Sequence, residues 1–171
     1  MKGVGQQFPE YHTLQGVASN NEMIEVEFKP NYHWRVIYFY PKDFTFICPT
    51  EIAAMDKIAV KTDAHVIGIS GDNEFCKLAW KDNNSMIANI HHTLAADCGL
   101  YLAEDLDIVD HKNGVCYRAT YIIDAENVIQ HASCNALDTG RNADEILRTY
   151  QALRAGGLTG CSWQEGDDFV A

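Results

Sequence analysis

Phe39-Tyr40-Pro41-Lys42-Asp43-Phe44-Thr45-Phe46-Ile47-Cys48-Pro49-Thr50-Glu51 is the stretch around which the chain is organised. It joins an apolar run, Trp34 to Tyr40, to a segment in which Ile52, Met55, Ile58 and Ala59 recur at helical spacing. The run is mostly β-branched and aromatic, as expected of a strand buried on both faces in a central parallel sheet. Pro41 ends it. Pro49 suits the first position of a helix, where a missing N–H costs nothing and φ is already helical. A helix is therefore expected from Pro49 to about Val60, with Cys48 at or beside its N-cap. Unpaired backbone N–H groups and the positive end of the helix dipole would then point at the sulfur and favour the thiolate, its nucleophilic form. Thr45, three residues upstream, brings a hydroxyl to the same pocket. By position alone, a cysteine before a helix is more often a small buried hydrophobe than a reactive group.

Outward from this stretch the pattern repeats. Ala64 to Ser70 reads as a second buried strand, and Gly71-Asp72-Asn73 caps a helix from Glu74 to about Asn83, with Phe75, Leu78 and Ala79 on one face. Strand, helix, strand, helix implies parallel crossovers. Leu94-Ala95-Ala96 reads as a short strand, Cys98 to Asp105 as a short helix opening at Cys98, and Lys112-Asn113-Gly114 as a turn. Tyr117–Ile123 and Val128–Ser133 flank the polar Asp124–Asn127 as a hairpin, and Arg141 to Arg154 is a last helix stopped by Gly156-Gly157. Upstream, Phe8-Pro9 opens an N-terminal hairpin segment, with a turn at Asn20-Asn21 and a short strand from Met23 to Phe28. The order is that of an α/β, thioredoxin-like fold: a central mixed β-sheet flanked by helices. One domain is expected over 1–155, with a glycine-rich C-terminal arm over 156–171.

The net charge of −11 argues against nucleic acid and anionic membrane surfaces as partners. Met1 to Gln7 contains no apolar run, so no secretory signal is expected, and no stretch could span a bilayer. The six cysteines, Cys48, Cys76, Cys98, Cys116, Cys134 and Cys161, form no C-x-x-C pair. Reduced thiols in the cytoplasm, a few of them catalytic, are the better expectation than a disulfide framework. His91-His92 has no acid or cysteine at ligand spacing, and no metal site is assigned.

Pro41, Thr45 and Cys48 spell P-x-x-x-T-x-x-C, and Phe39 to Glu51 as a whole resembles the active-site segment of the peroxiredoxins, in their alkyl hydroperoxide reductase C branch. Arg118-Ala119-Thr120-Tyr121-Ile122-Ile123-Asp124 resembles the family segment that supplies the active-site arginine. The resemblance implies that Cys48 is the peroxidatic cysteine, that Thr45 hydrogen-bonds the peroxide and that Arg118 stabilises the thiolate and the leaving oxygen. Pro41, Glu51 and Trp80 support them: Glu51 as a helix-dipole partner that also holds the arginine, Trp80 as packing. Gly160-Cys161-Ser162-Trp163 resembles the C-terminal resolving segment of the typical two-cysteine branch, with a departure. In most members the cysteine stands four residues before the tryptophan, where this chain has Thr159. Some actinobacterial-type relatives carry cysteines at both places, and this chain resembles them with the first one lost.

The resemblance implies thiol-dependent reduction of hydrogen peroxide and organic hydroperoxides, and peroxynitrite as a further candidate substrate. It also implies an intersubunit Cys48–Cys161 disulfide and no metal, haem or flavin. Reduction would come from a dithiol protein: a thioredoxin-like protein, a flavoprotein disulfide reductase or a C-x-x-C adaptor. Antiparallel homodimers, and decamers built from five of them, are the implied assemblies. Cys98 or Cys76 is the fallback resolving partner, and the rival readings are a one-cysteine peroxidase with an external resolving thiol, in which Cys161 is idle, and a redox-regulated holdase.

Overall fold

In the computed structural model, which describes residues 1–171, β3 (Arg35–Phe39) lies inside a seven-stranded sheet with every residue buried. The preceding strands, β1 (Thr13–Val17) and β2 (Met23–Glu27), form a hairpin. After β3 come α1 (Cys48–Lys61), β4 (His65–Ser70), α2 (Glu74–Asn83), β5 (Thr93–Ala96) and α3 (Tyr101–Asp105). Two short strands, β6 (Val109–Asp110) and β7 (Val115–Cys116), pair only with each other. Then follow β8 (Arg118–Ile123), β9 (Ile129–Asn135) and α4 (Ala143–Ala155). The strand order is β2-β1-β5-β4-β3-β8-β9. β3, β4 and β5 run parallel, and every other neighbouring pair is antiparallel, so the expected mixed sheet is the one observed.

Alternation along β3 splits the core. Ile37 and Phe39 join one cluster with Phe8, Phe28 and Leu102, while Val36 and Tyr38 join another with Ile52, Met55, Ile58 and Tyr150. The helical stripe of α1 faces this second cluster, as its spacing required. Thr62 stops α1 by donating both its N–H and its hydroxyl to the Ile58 carbonyl, at 3.0 and 2.7 Å. Register also decides what meets the start of α1. β8 lies antiparallel to β3, with Arg35 opposite Ile123 and Tyr38 opposite Thr120. The first residue of β8, Arg118, therefore sits at the sheet end where β3 finishes and the chain turns into α1.

Several expectations need correction. The N-terminal hairpin begins at Thr13, not near Phe8, which instead packs into the core. Cys98 does not open α3; Gly99 and Leu100, both at positive φ, turn the chain first. α4 starts at Ala143 with Asn142 as its N-cap, leaving Arg141 outside the helix, and Gly156 ends it at φ 77°. The largest correction is the face of α2. Its buried residues are Lys77, Trp80 and Lys81, while Phe75 is 67% exposed. Periodicity found the apolar stripe, but internal acceptors turned the helix the other way. The Lys81 ammonium donates to the Ala18 and Ser19 carbonyls, at 3.1 and 3.4 Å, and Lys77 reaches a buried carboxylate. No helix is long and apolar enough to cross a membrane.

Candidate active site

Cys48 is the first residue of α1. Ile47 holds the N-cap position, one residue earlier than the expectation, and no side chain caps this end. Cys48 is 1% exposed, packed in the cluster that contains Ile52 and Tyr40. Its sulfur has one charged neighbour: Arg118 donates from Nη1 to Sγ at 3.4 Å. The same nitrogen donates to Glu51 Oε2 at 2.5 Å, and Nε donates to the Leu137 carbonyl at 2.7 Å. Burial works against the Arg118 charge, but the Cys48 sulfur and the Glu51 carboxylate outweigh it and hold the guanidinium above its ordinary value.

Glu51, one turn into α1, is shared. Arg141 donates to its Oε1 from Nε at 2.9 Å and from its backbone N–H at 3.2 Å. The remaining Arg141 donors go to the Ala119 carbonyl, the Thr120 hydroxyl and the Phe39 carbonyl, and the guanidinium lies over the Tyr38 ring, 5.0 Å from its centroid. Glu51, Arg118 and Arg141 are all at most 5% exposed in their side chains. Two guanidiniums and one carboxylate leave a surplus of one positive charge, buried against the Cys48 sulfur. A buried charge is costly unless paired, and the Cys48 sulfur is the group beside Arg118 that lies outside the Glu51 pairing.

The sulfur faces a cleft of about 470 Å³. Pro41, Thr45, Phe46, Ile47, Val115 and Leu137 are among its walls, and Arg118 is on its surface. The Thr45 hydroxyl donates to the Lys42 carbonyl at 2.8 Å, which leaves its oxygen free to accept. Trp80 is buried outside this lining, with its ring 6.2 Å from Tyr40 and 5.8 Å from Phe44 between centroids.

The model of the AhpC/TSA family matches residues 4–132. The chain belongs to the AhpC/TSA family. It is 36% identical to alkyl hydroperoxide reductase C of Mycolicibacterium smegmatis, covering 98% of this chain and 92% of that protein. It is 35% identical to a putative peroxiredoxin of Bacillus subtilis, covering 95% of each. Among solved structures, the reduced 2-Cys peroxiredoxin of Plasmodium vivax superposes with a TM-score of 0.89 at 32% identity, covering 98% of this chain and 92% of that one. AhpC of Mycobacterium tuberculosis superposes with a TM-score of 0.80 at 32% identity, covering 90% and 99%. The fold is thioredoxin-like, as its order of elements led one to expect.

Within this AhpC/TSA chain, Pro41, Thr45, Cys48, Glu51 and Arg118 come together at the end of β3. Cys161 does not line the cleft. It is exposed on the segment after α4, with the Ser162 hydroxyl 3.7 Å away. That segment is anchored through Trp163, which is 6% exposed, donates from its indole to the Asp167 carbonyl at 3.1 Å and offers its own carbonyl to Arg148 at 3.0 Å. The other four thiols are all pushed above the ordinary thiol value. Burial does this at Cys76, Cys98 and Cys134, with Asp43 and Glu74 adding to it at the first two. Burial pushes Cys116 up to about 12, and its sulfur donates to the Tyr40 carbonyl at 3.1 Å. Each is held as a thiol, the opposite of what a nucleophile needs.

Arg141 escaped the sequence reading. One signal was available: an arginine immediately before the N-cap of α4 sits where the helix dipole disfavours a cation. A side chain in that place needs an acidic partner, and Glu51 supplies it.

Proposed function

We propose that Cys48 is the peroxidatic cysteine of this chain. The chain is a thiol-dependent peroxidase of the peroxiredoxin kind, and the uncompensated buried charge of the Glu51–Arg118–Arg141 cluster carries the assignment to Cys48. The thiolate attacks one oxygen of the hydroperoxide and forms an S–O bond as the O–O bond breaks. The other oxygen leaves with the pair of electrons, takes a proton and departs as water or alcohol, and Cys48 is left as sulfenic acid. Arg118 faces the oxygen on which negative charge develops, where a fixed donor in a dry site counts most. Thr45, its proton committed to Lys42, accepts from the peroxide O–H. Pro41 walls the cleft, Glu51 orients the guanidiniums, and Trp80 backs the loop. The apolar walls and the cleft's size suit organic hydroperoxides as well as hydrogen peroxide.

In the second half of the cycle the Cys161 thiol of a partner subunit condenses with the sulfenic acid, releasing water and forming a disulfide. A dithiol protein then reduces that disulfide and is itself oxidised. Residues 156–171 act as the arm that delivers Cys161, and β9, paired only on its β8 side, offers a sheet edge through which an antiparallel dimer can form. Higher assembly into decamers and a cytoplasmic setting, where dithiol proteins are reduced, complete the reading.

The test is a non-reducing gel of wild type, Cys48→Ser and Cys161→Ser after one equivalent of hydrogen peroxide. A dimer band in wild type that both substitutions abolish supports the cycle. A wild type that consumes peroxide yet stays monomeric on the gel removes Cys161 from it. Peroxide consumption that survives Cys48→Ser removes Cys48.

A further inference from the structure

Beside the cleft lies a second buried ionic cluster. The side chains of Lys77 and Asp43 are both 0% exposed. The Lys77 ammonium is 2.6 Å from Ser70 Oγ, 3.2 Å from the Tyr40 hydroxyl, and 3.3 and 3.4 Å from the two Asp43 carboxylate oxygens. Ser70 donates its own hydroxyl to Asp43 Oδ1 at 2.9 Å, and the Asp43 backbone N–H donates to Asp72 Oδ2 at 2.8 Å. The end of β3, the end of β4 and the buried face of α2 thus converge on one residue of the loop that leads to Cys48.

The next residue makes that convergence informative. Phe44 has φ 55°, in the left-handed region, although it is neither glycine nor asparagine. Such a residue persists only where its surroundings over-determine the backbone. Asp43 pins the loop on one side of it, and the Phe44 ring packs on Trp80 on the other. Thr45 follows directly, at the cleft wall. A hydrophobic pair of similar volume could fill the space of Lys77 and Asp43, but it would not point the loop.

We propose that Lys77 is a positioning residue for peroxide reduction: its ammonium, acting through Asp43, holds the loop in the strained shape that presents Thr45 to the cleft. Lys77 does not line the cleft, so it acts only through the loop. The inference rests on the reading of Cys48 and Thr45 given above, and it places the cation of α2 in the service of the reaction, apart from the arginine pair.

The test is a double-mutant cycle on pre-reduced protein, free of added reductant, reading the second-order rate constant of Cys48 with hydrogen peroxide. The forms compared are wild type, Thr45→Ala, Lys77→Met and Thr45→Ala/Lys77→Met. Asp43→Asn, which keeps the shape but removes the carboxylate charge that holds the ammonium, replaces Lys77→Met if that variant does not fold. Lys77→Met is expected to lose roughly 10²-fold, the scale of a misplacement of about 1 Å. The double variant is expected to be no slower than Thr45→Ala alone, because both changes remove the same contact. Alkylation of Cys48 by iodoacetamide across pH is expected to match wild type, since Arg118 and Glu51 are untouched. Additive losses, a folded Lys77→Met or Asp43→Asn at full speed, or an alkylation profile that moves with the peroxide rate would each overturn the tether. Thr45→Ala at the full rate would overturn the role of Thr45 and the tether together, whereas a slow Thr45→Ala with additive losses would overturn the tether alone.

Discussion

Two buried ionic clusters flank the loop between β3 and α1, and they differ in their charge balance. Glu51 with Arg118 and Arg141 carries one carboxylate against two guanidiniums, whereas Asp43 with Lys77 carries one charge of each sign. The unbalanced cluster touches the sulfur; the balanced one does not. The difference separates two tasks. A buried surplus charge favours an anion beside it, which is the setting the proposed role of Cys48 requires. A neutral, fully bonded pair demands nothing further and is free to act as a fixed point for the backbone.

The comparison can be broken most sharply at Arg118. Arg118→Met removes the surplus and the donor that faces the leaving oxygen. The rate constant with hydrogen peroxide, measured by stopped flow on pre-reduced protein, is expected to fall about 10²–10³-fold, as when an oxyanion donor is deleted. Iodoacetamide should also alkylate Cys48 more slowly at neutral pH. A folded variant that keeps both rates would mean that the surplus charge is not the source of reactivity.

Glu51→Gln works in the opposite sense, raising the surplus while loosening the geometry. The alkylation rate should hold, while the peroxide rate falls by about tenfold because Arg118 loses its orienting partner. Removing one member of a buried pair costs about 3–5 kcal/mol, so thermal melting should reveal a marked loss of stability. If Glu51→Gln slowed alkylation as much as Arg118→Met, geometry rather than charge would be what the cluster supplies.

The smallest expected effect lies outside both clusters. His92 accepts or donates to the Tyr38 hydroxyl at 2.7 Å and meets Asp56 Oδ1 at 2.7 Å. Burial holds its imidazole below the ordinary histidine value, although the Asp56 hydrogen bond opposes this. Below a pH of about 6.5 the unfolded chain takes up a proton here that the folded chain does not, so stability falls as pH drops through that value. Burial lowers the half-buried His131 in the same sense. Melting temperatures at neutral and mildly acidic pH should therefore diverge in wild type and diverge less in His92→Gln. An equal divergence in both would remove His92 from the acid response.

How much of this was legible depended on distance along the chain. Cys48 was legible as a candidate because its signal is local: a strand end, a proline and a helix start fall within a few residues. Arg118 was picked out by its resemblance to a family segment, and the register of β8 against β3 brings its Nη1 to 3.4 Å from the Cys48 sulfur. Arg141 was not, since its contact with Glu51 spans ninety positions and nothing local to Arg141 names that partner. The face of α2 was misread for a related reason. Helical periodicity reports which residues share a side, not which side finds the core, and the acceptors for Lys77 and Lys81 come from β4, the loop between β3 and α1, and the β1–β2 turn.

By itself, then, the sequence determined the order of strands and helices, the cysteine at the β3–α1 junction and the class of chemistry, because hydrophobic period, turn residues and a helix N-terminus act over short range. Only the tertiary structure decided the charge balance around Cys48 and the burial of Lys77, and only it held Phe44 in a left-handed turn. These depend on long-range neighbours, and a charged side chain is buried only where the folded chain supplies its partner.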